Sequence, residues 1–143
     1  MYAKSLLVDD RFPNKYNCAQ TVVSLHAVEL GISEETALKL SSGFGAGMNC
    51  AETCGAVTGA YMIIGMRHGH ETTEPEAKAQ TKQKILDFNT RFKKVHGSLL
   101  CKELAGSDIS TPDGHAAALE KDVFHQKCPA FVKTACDLLE THF

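Results

Sequence analysis

Cys18, Cys50, Cys54, Cys101, Cys128 and Cys136 are the residues of this chain that offer chemistry most directly. A thiolate is a nucleophile and a soft metal ligand. Cysteines gathered from separate segments can therefore hold zinc or an iron–sulfur cluster, or exchange disulfides. Six cysteines in 143 residues exceed what a plain core needs and fall short of a small disulfide scaffold. In a reducing compartment such a set points to metal binding or redox work.

Their placement narrows the roles. Cys50 and Cys54 are four apart and are expected on one face of a helix, about a turn from each other. That helix is read from Cys50 to about Arg67, with Asn49 as its cap and Glu52 completing a capping box. Both cysteines would then feel the positive helix start, which lowers a thiol's pKa. This makes Cys54 a candidate attacking thiol and Cys50 a candidate resolving one. Cys128, directly before Pro129, is read as the N-cap of the final helix, where the same effect applies and makes it the alternative attacking thiol. Cys101 is placed in a loop beside Lys102, and Cys18 at the start of the first long helix.

Cys18, Cys54, Cys101 and Cys128 thus come from four separate elements and are the candidate metal ligands. No Cys-x2-Cys pair is present, so spacing alone leaves metal ligation, thiol–disulfide chemistry and plain core packing all open. Cys136 lies about 12 Å along a helix from Cys128 and falls in a stripe with Val132 and Leu139, so it is read as core.

The turn Gly43-Phe44-Gly45-Ala46-Gly47 is no phosphate cradle, since it lacks a preceding strand and a following Gly-Lys-Ser/Thr. It is read as a tight turn that brings backbone beside the cysteines. Gly45, Gly47 and Gly55 are the candidate cofactor-contacting positions, with N–H groups of the turn aimed at sulfur to tune its potential. His68 and His70 are read as favourable charges at a helix end, and His125, three residues before Cys128, as a lesser candidate ligand. No covalent haem motif and no hydrolase motif is present.

The elements that must position these groups are helical throughout. Asn17 can cap a helix reaching Leu30 and stopped by Gly31, and Ser33 caps a short one to about Ser41. The helix from about 50 to 67 is apolar nearly all round and is expected to be central and buried. Thr73 and Glu76 suggest a capping box for a long helix, Glu74 to His96, whose stripe Ile85, Phe88, Phe92 and Val95 could serve a core or a homodimer. Thr111-Pro112 starts another helix, and Cys128-Pro129 the last. The expectation is one all-α domain, a single-domain helical bundle over residues 1–143.

Composition excludes other classes. Fifteen Lys and Arg against 17 Asp and Glu, with no Trp, give neither the basic patch nor the stacking platform of a nucleic-acid binder. The uncharged run from Thr53 to Met66 is shorter than the roughly 18 residues of a membrane span. Asp9 and Asp10 interrupt the opening segment where a leader's apolar core would continue, so a cytoplasmic protein is expected.

The whole pattern resembles the small redox-active proteins named for their C-GCAxxG-C-C cysteine pattern. The match is carried by Asn17-Cys18-Ala19-Gln20, the glycine turn through Met48, Glu52-Thr53-Cys54-Gly55-Ala56-Val57-Thr58-Gly59-Ala60, and the later Cys101 and Cys128. The resemblance implies a nearly all-helical fold, a redox role and the same four cysteines. Related helical domains occur beside an iron–sulfur centre in a haem protein, which favours a cluster. Cys50 and Cys136 are additions to the family pattern, and Cys50 could act as resolving thiol, replacement ligand or passenger. The resulting expectation is a redox protein, oxidoreductase or electron-transfer protein, whose Cys18, Cys54, Cys101 and Cys128 hold an iron–sulfur cluster or zinc and which meets a redox partner protein. A metal-free thiol–disulfide protein and a non-catalytic helical binding module are the alternatives.

Overall fold

The computed structural model describes residues 3–143. Met1 and Tyr2, the first residues of the segment read as lacking a leader, lie outside it. Eight α-helices follow a 3-10 turn at Lys4–Asp10, and no strand is formed among the described residues. They are α1 (Cys18–Ala27), α2 (Glu34–Ser41), α3 (Gly55–His68), α4 (Pro75–His96), α5 (Cys101–Ala105), α6 (Pro112–Glu120), α7 (Val123–Gln126) and α8 (Cys128–Thr141). No helix among the described residues is long and apolar enough to cross a membrane.

Local chemistry sets most boundaries. Asn17 closes a full capping box: its Oδ1 accepts the Gln20 N–H at 2.9 Å, and its own N–H donates to Gln20 Oε1 at 3.1 Å. Ser33 and Thr111 cap α2 and α6 through their hydroxyls. Gly31 and Gly97 take left-handed conformations where helices end, a backbone open to glycine at no steric cost. For α4 the cap is Glu74 with Pro75 in the first turn, so Thr73 stands outside the helix and its capping box with Glu76 does not form.

The largest difference from expectation lies before α3. From Ala46 to Asn49 every residue has φ between 53° and 61°, which makes a left-handed turn. Asn49 at φ 58° cannot be an N-cap, which needs extended backbone, so the helix starts at Gly55 instead of Cys50. Each non-glycine residue in this turn costs about 1–2 kcal/mol. The turn is held because the segment after it is pinned. Glu52 N–H donates to Gly47 O at 3.1 Å, Cys54 N–H to Leu99 O at 2.8 Å, and Cys101 N–H to Glu52 O at 2.6 Å.

α3 packs against α1, α4 and α8. Gly59 lets α1 approach closely, since a Cβ there would stand 3.1 Å from Ala19 O. The main core holds Val22, Val57, Ile63, Ile64, Phe88, Phe92, Val132 and Leu139, all essentially without exposure. Each such side chain contributes about 1.5–3 kcal/mol by leaving water. Phe88 and Phe92 of the α4 stripe face this core, while Val95 is exposed. A smaller cluster of Ala51, Ala105, Ile109, Ala118 and Val123 lies under α5 to α7. Cys128 packs on both clusters, Cys54 belongs to the first and Cys101 packs on the second. The seam between the two clusters is where the cysteines meet.

Candidate cysteine site

Four helix starts face this seam. Cys18, Cys101 and Cys128 are the first residues of α1, α5 and α8, and Cys54 is the N-cap residue of α3. Cys128 therefore sits one position inside its helix, with Lys127 before it, because Pro129 fills the first turn at a position that needs no N–H. All four cysteines line one cavity of about 340 Å³. Its other walls are Phe12, Pro13, Ala46, Leu104, Ile109, Phe124 and Phe131, with Asn14, Asn17 and His125 among the few polar groups. Among the described residues, no Asp, Glu, Lys or Arg lines it.

The glycines explain how the segments fit. A Cβ on Gly55 would lie 2.3 Å from Cys18 Sγ, so only glycine lets that sulfur sit against the start of α3. A Cβ on Gly45 would meet Asn17 Cγ at 2.5 Å, and Asn17 Nδ2 donates to Ser42 O at 3.0 Å. The cap of α1 is thereby stitched to the glycine turn. Gly47 packs against Cys101, whose Cβ would be 2.8 Å from a Cβ there. Of the three, Gly55 lines the cavity itself; Gly45 and Gly47 shape it from behind.

Electrostatics separates the four thiols. Cys18 is lowered to about 7, chiefly because the Cys54 thiol donates a hydrogen bond to its sulfur. Burial opposes this, and backbone N–H groups, that of Ala46 first, add to it. The left-handed turn thus aims an N–H at sulfur. Cys54 is pushed well above the usual thiol range by the same hydrogen bond and by burial. Burial raises Cys101 to about 11 and Cys128 to about 12, with the charge of Cys18 adding to both. Cys18 is the thiol most readily ionised, and Cys54, Cys101 and Cys128 are each held above the usual thiol range.

Cys50 and Cys54 do not share a helix face. Cys50 has φ −131° in the turn before α3, is exposed, and donates its thiol hydrogen bond to Gly47 O at 3.3 Å, while Cys54 is buried. The sulfur facing Cys54 is that of Cys18. Cys136 lies in the main core and outside the cavity. His68 and His70 lie outside it as well. His68 Nε2 is paired with Phe143 O at 2.5 Å. His125 does line the cavity. The wall residues Phe12, Pro13, Asn14 and Phe124 escaped sequence reasoning; they belong to the opening segment and to short α7, which carry no helical period to follow.

Among the described residues, no three His, Cys, Asp or Glu side chains come close enough to hold one metal ion between them. Four sulfurs around a zinc ion would stand about 3.8 Å apart, given Zn–S bonds of about 2.3 Å.

The family model described as "Putative redox-active protein (C_GCAxxG_C_C)" matches residues 16–142. No curated protein and no solved structure matches the chain.

Proposed function

We infer the function from the premise that this chain belongs to the C_GCAxxG_C_C family of redox-active proteins: Cys18, Cys54, Cys101 and Cys128 hold an iron–sulfur cluster, and the protein transfers electrons to and from a redox partner protein. The observation that carries this reading is the convergence of four cysteines, one from each of four helix starts, on one apolar cavity. The donor set fits. Four cysteine thiolates are the usual ligands of such a cluster, and a polynuclear body spreads its ligands wider than one ion does. That favours a cluster over zinc, because no three donors close around a single point.

When bound, the cluster supplies one-electron chemistry. The chain's own residues set its surroundings. Phe12, Leu104, Ile109, Phe124 and Phe131 exclude water. Ala46 N–H donates to the Cys18 sulfur, which stabilises added negative charge and raises a potential. The free N–H groups at the starts of α1, α3 and α8 act in the same direction. Cys50 takes no part in ligation, and Cys136 is structural.

A second reading, metal-free thiol–disulfide exchange, is favoured by one observation, the hydrogen bond from Cys54 to Cys18. In that chemistry the Cys18 thiolate attacks a partner disulfide and expels a partner thiolate. Cys54 then loses its proton, attacks the Cys18 sulfur and releases the second partner thiol, leaving a Cys18–Cys54 disulfide. The pair is Cys18 with Cys54, in place of Cys50 with Cys54.

Anaerobic purification followed by a visible spectrum and iron, sulfide and zinc analysis of one sample tests the choice. A brown protein with matching iron and sulfide is expected. A colourless protein without iron, losing two titratable thiols on mild oxidation, would replace the cluster by the thiol pair.

A further inference from the structure

We propose that the cysteine cavity also takes a small, uncharged, largely aromatic molecule of one or two rings, which lies against the walls that carry no cysteine. The proposal rests on the cluster reading only for what the molecule lies beside; the binding itself belongs to the metal-free chain as well.

The lining comes from two sets of segments. The sulfurs arrive on the starts of α1, α3, α5 and α8. Other walls come from residues 12–14 of the opening segment, from Ile109 after α5, and from Phe124 and His125 of α7. These segments supply no sulfur. Four cysteines that hold a cluster therefore leave part of the lining to a second occupant.

Size and surface chemistry name the class of that occupant. A volume of about 340 Å³ falls at the lower end of small-molecule sites, which span about 300–1,000 Å³ and are mostly apolar with a few fixed polar groups. It suits one or two fused rings. Phe12, Phe124 and Phe131 bring three phenyl rings to the cavity, and aromatic guests gain from stacked and edge contacts beyond the area they bury. Protonated thiols add to the apolar wall, since a free cysteine packs as a small hydrophobe.

Charge is selected against. Among the described residues, no Asp, Glu, Lys or Arg lines the cavity, so an ion that entered would give up hydration without a partner. The polar side chains of the lining are mostly spent on the protein. Asn17 Oδ1 accepts the Gln20 N–H at 2.9 Å, and Asn17 Nδ2 donates to Ser42 O at 3.0 Å. His125 Nδ1 lies 2.8 Å from Asp122 Oδ1, and its Nε2 lies 3.2 Å from Asn14 Oδ1. The NH2 group of exposed Asn14 remains to donate to a single carbonyl or hydroxyl oxygen at the outer end of the guest. One polar atom on an otherwise apolar ring system is the pattern this lining recognises.

Indole is the probe, with indole-3-acetate and tryptamine as anionic and cationic versions of the same ring. The full chain, metal-free and reduced, is labelled at its Leu and Ile methyl groups for NMR. Indole should bind saturably and shift the methyls of Leu104 and Ile109, while those of Ile63 and Ile64 in the main core stay in place. Both charged analogues should bind roughly tenfold more weakly or worse. Ile109→Phe fills part of the space and should weaken indole by about tenfold. Phe124→Leu removes one aromatic wall and should weaken it by about threefold to tenfold. If Ile109→Phe does not fold, Phe124→Leu and the methyl shifts still decide. Absence of saturable binding, shifts centred on other methyls, equal affinity for a charged analogue, or unchanged affinity in either folded variant would each overturn the proposal. Calorimetry with the iron-loaded protein should find indole binding retained. Binding lost on loading would show that the cluster fills the cavity, and would overturn the proposal. If the chain takes up no iron, the cluster reading fails by itself, and the metal-free titration still decides the binding site.

Discussion

Cys54 and Cys136 are both buried thiols, with 6% and 0% of their surface exposed, yet they stand in opposite surroundings. Cys54 donates its thiol hydrogen bond to a second sulfur, that of Cys18, and lines a cavity shared with two more thiols. Cys136 sits among Val132, Ala135 and Leu139, raised to about 12 by burial, with no thiol beside it. The core treats His26 in the same way. It has no exposure, its Nδ1–H donates to Val22 O at 2.8 Å, and its Nε2 has no partner among the described residues. Burial is the largest cause that suppresses charge in the core. In the cavity, a thiol donor and a backbone N–H outweigh burial and lower Cys18 to about 7. The difference is company at the helix starts, not depth.

Exchanging the roles of the two cysteines breaks the comparison most severely. Cys54→Ser should abolish cluster binding, measured as iron and sulfide per chain, while Cys136→Val keeps the full content and costs less than about 1.5 kcal/mol by denaturant unfolding. Full loss of iron in Cys136→Val alone would reverse the assignment.

The core side of the comparison is sharpened by pH. Burial lowers His26 to about 4, against 6.5 unperturbed. The folded state therefore binds fewer protons than the unfolded state between those values, and stability falls as pH drops through that window. The loss approaches about 3 kcal/mol below pH 4. His26→Leu should flatten this slope in urea titrations repeated from neutral pH downwards.

The cavity side is sharpened by Gly55→Ala. The added methyl would stand 2.3 Å from Cys18 Sγ and 2.9 Å from Phe44 O, so the sulfur must move. A destabilisation of about 1–3 kcal/mol is expected, with reduced iron content. Stability and iron content equal to wild type would show that Cys18 does not depend on this contact. The smallest effect concerns the metal-free protein. Labelling of Cys18 by iodoacetamide should rise through a midpoint near 7, while Cys101 and Cys128 react far more slowly at that pH.

Much of this was legible in the sequence where local signals govern. Asn17 with Gln20, Ser33, Gly31, Gly97 and Thr111-Pro112 announce helix ends by hydrogen-bond chemistry within a few residues, and the ends fall there. The four cysteines could be grouped because helix starts are locally marked. What could not be read was set by distant segments. The left-handed turn at Ala46–Asn49 depends on the pinning of Glu52 and Cys54 by Cys101 and Leu99, and no residue in the turn declares it. The pairing of Cys54 with Cys18 instead of Cys50 follows from that turn. The approach of Asn14 to His125 across the mouth likewise joins the two ends of the chain.

X-ray absorption at the iron edge of the anaerobically purified protein tests the central claim most directly. An iron shell made only of sulfur, with iron neighbours at cluster distance, is predicted, and it should collapse in Cys18→Ser, Cys54→Ser, Cys101→Ser or Cys128→Ser. A nitrogen or oxygen ligand in the wild-type shell, or a protein without iron, would contradict the assignment of these four cysteines as the ligands of a cluster.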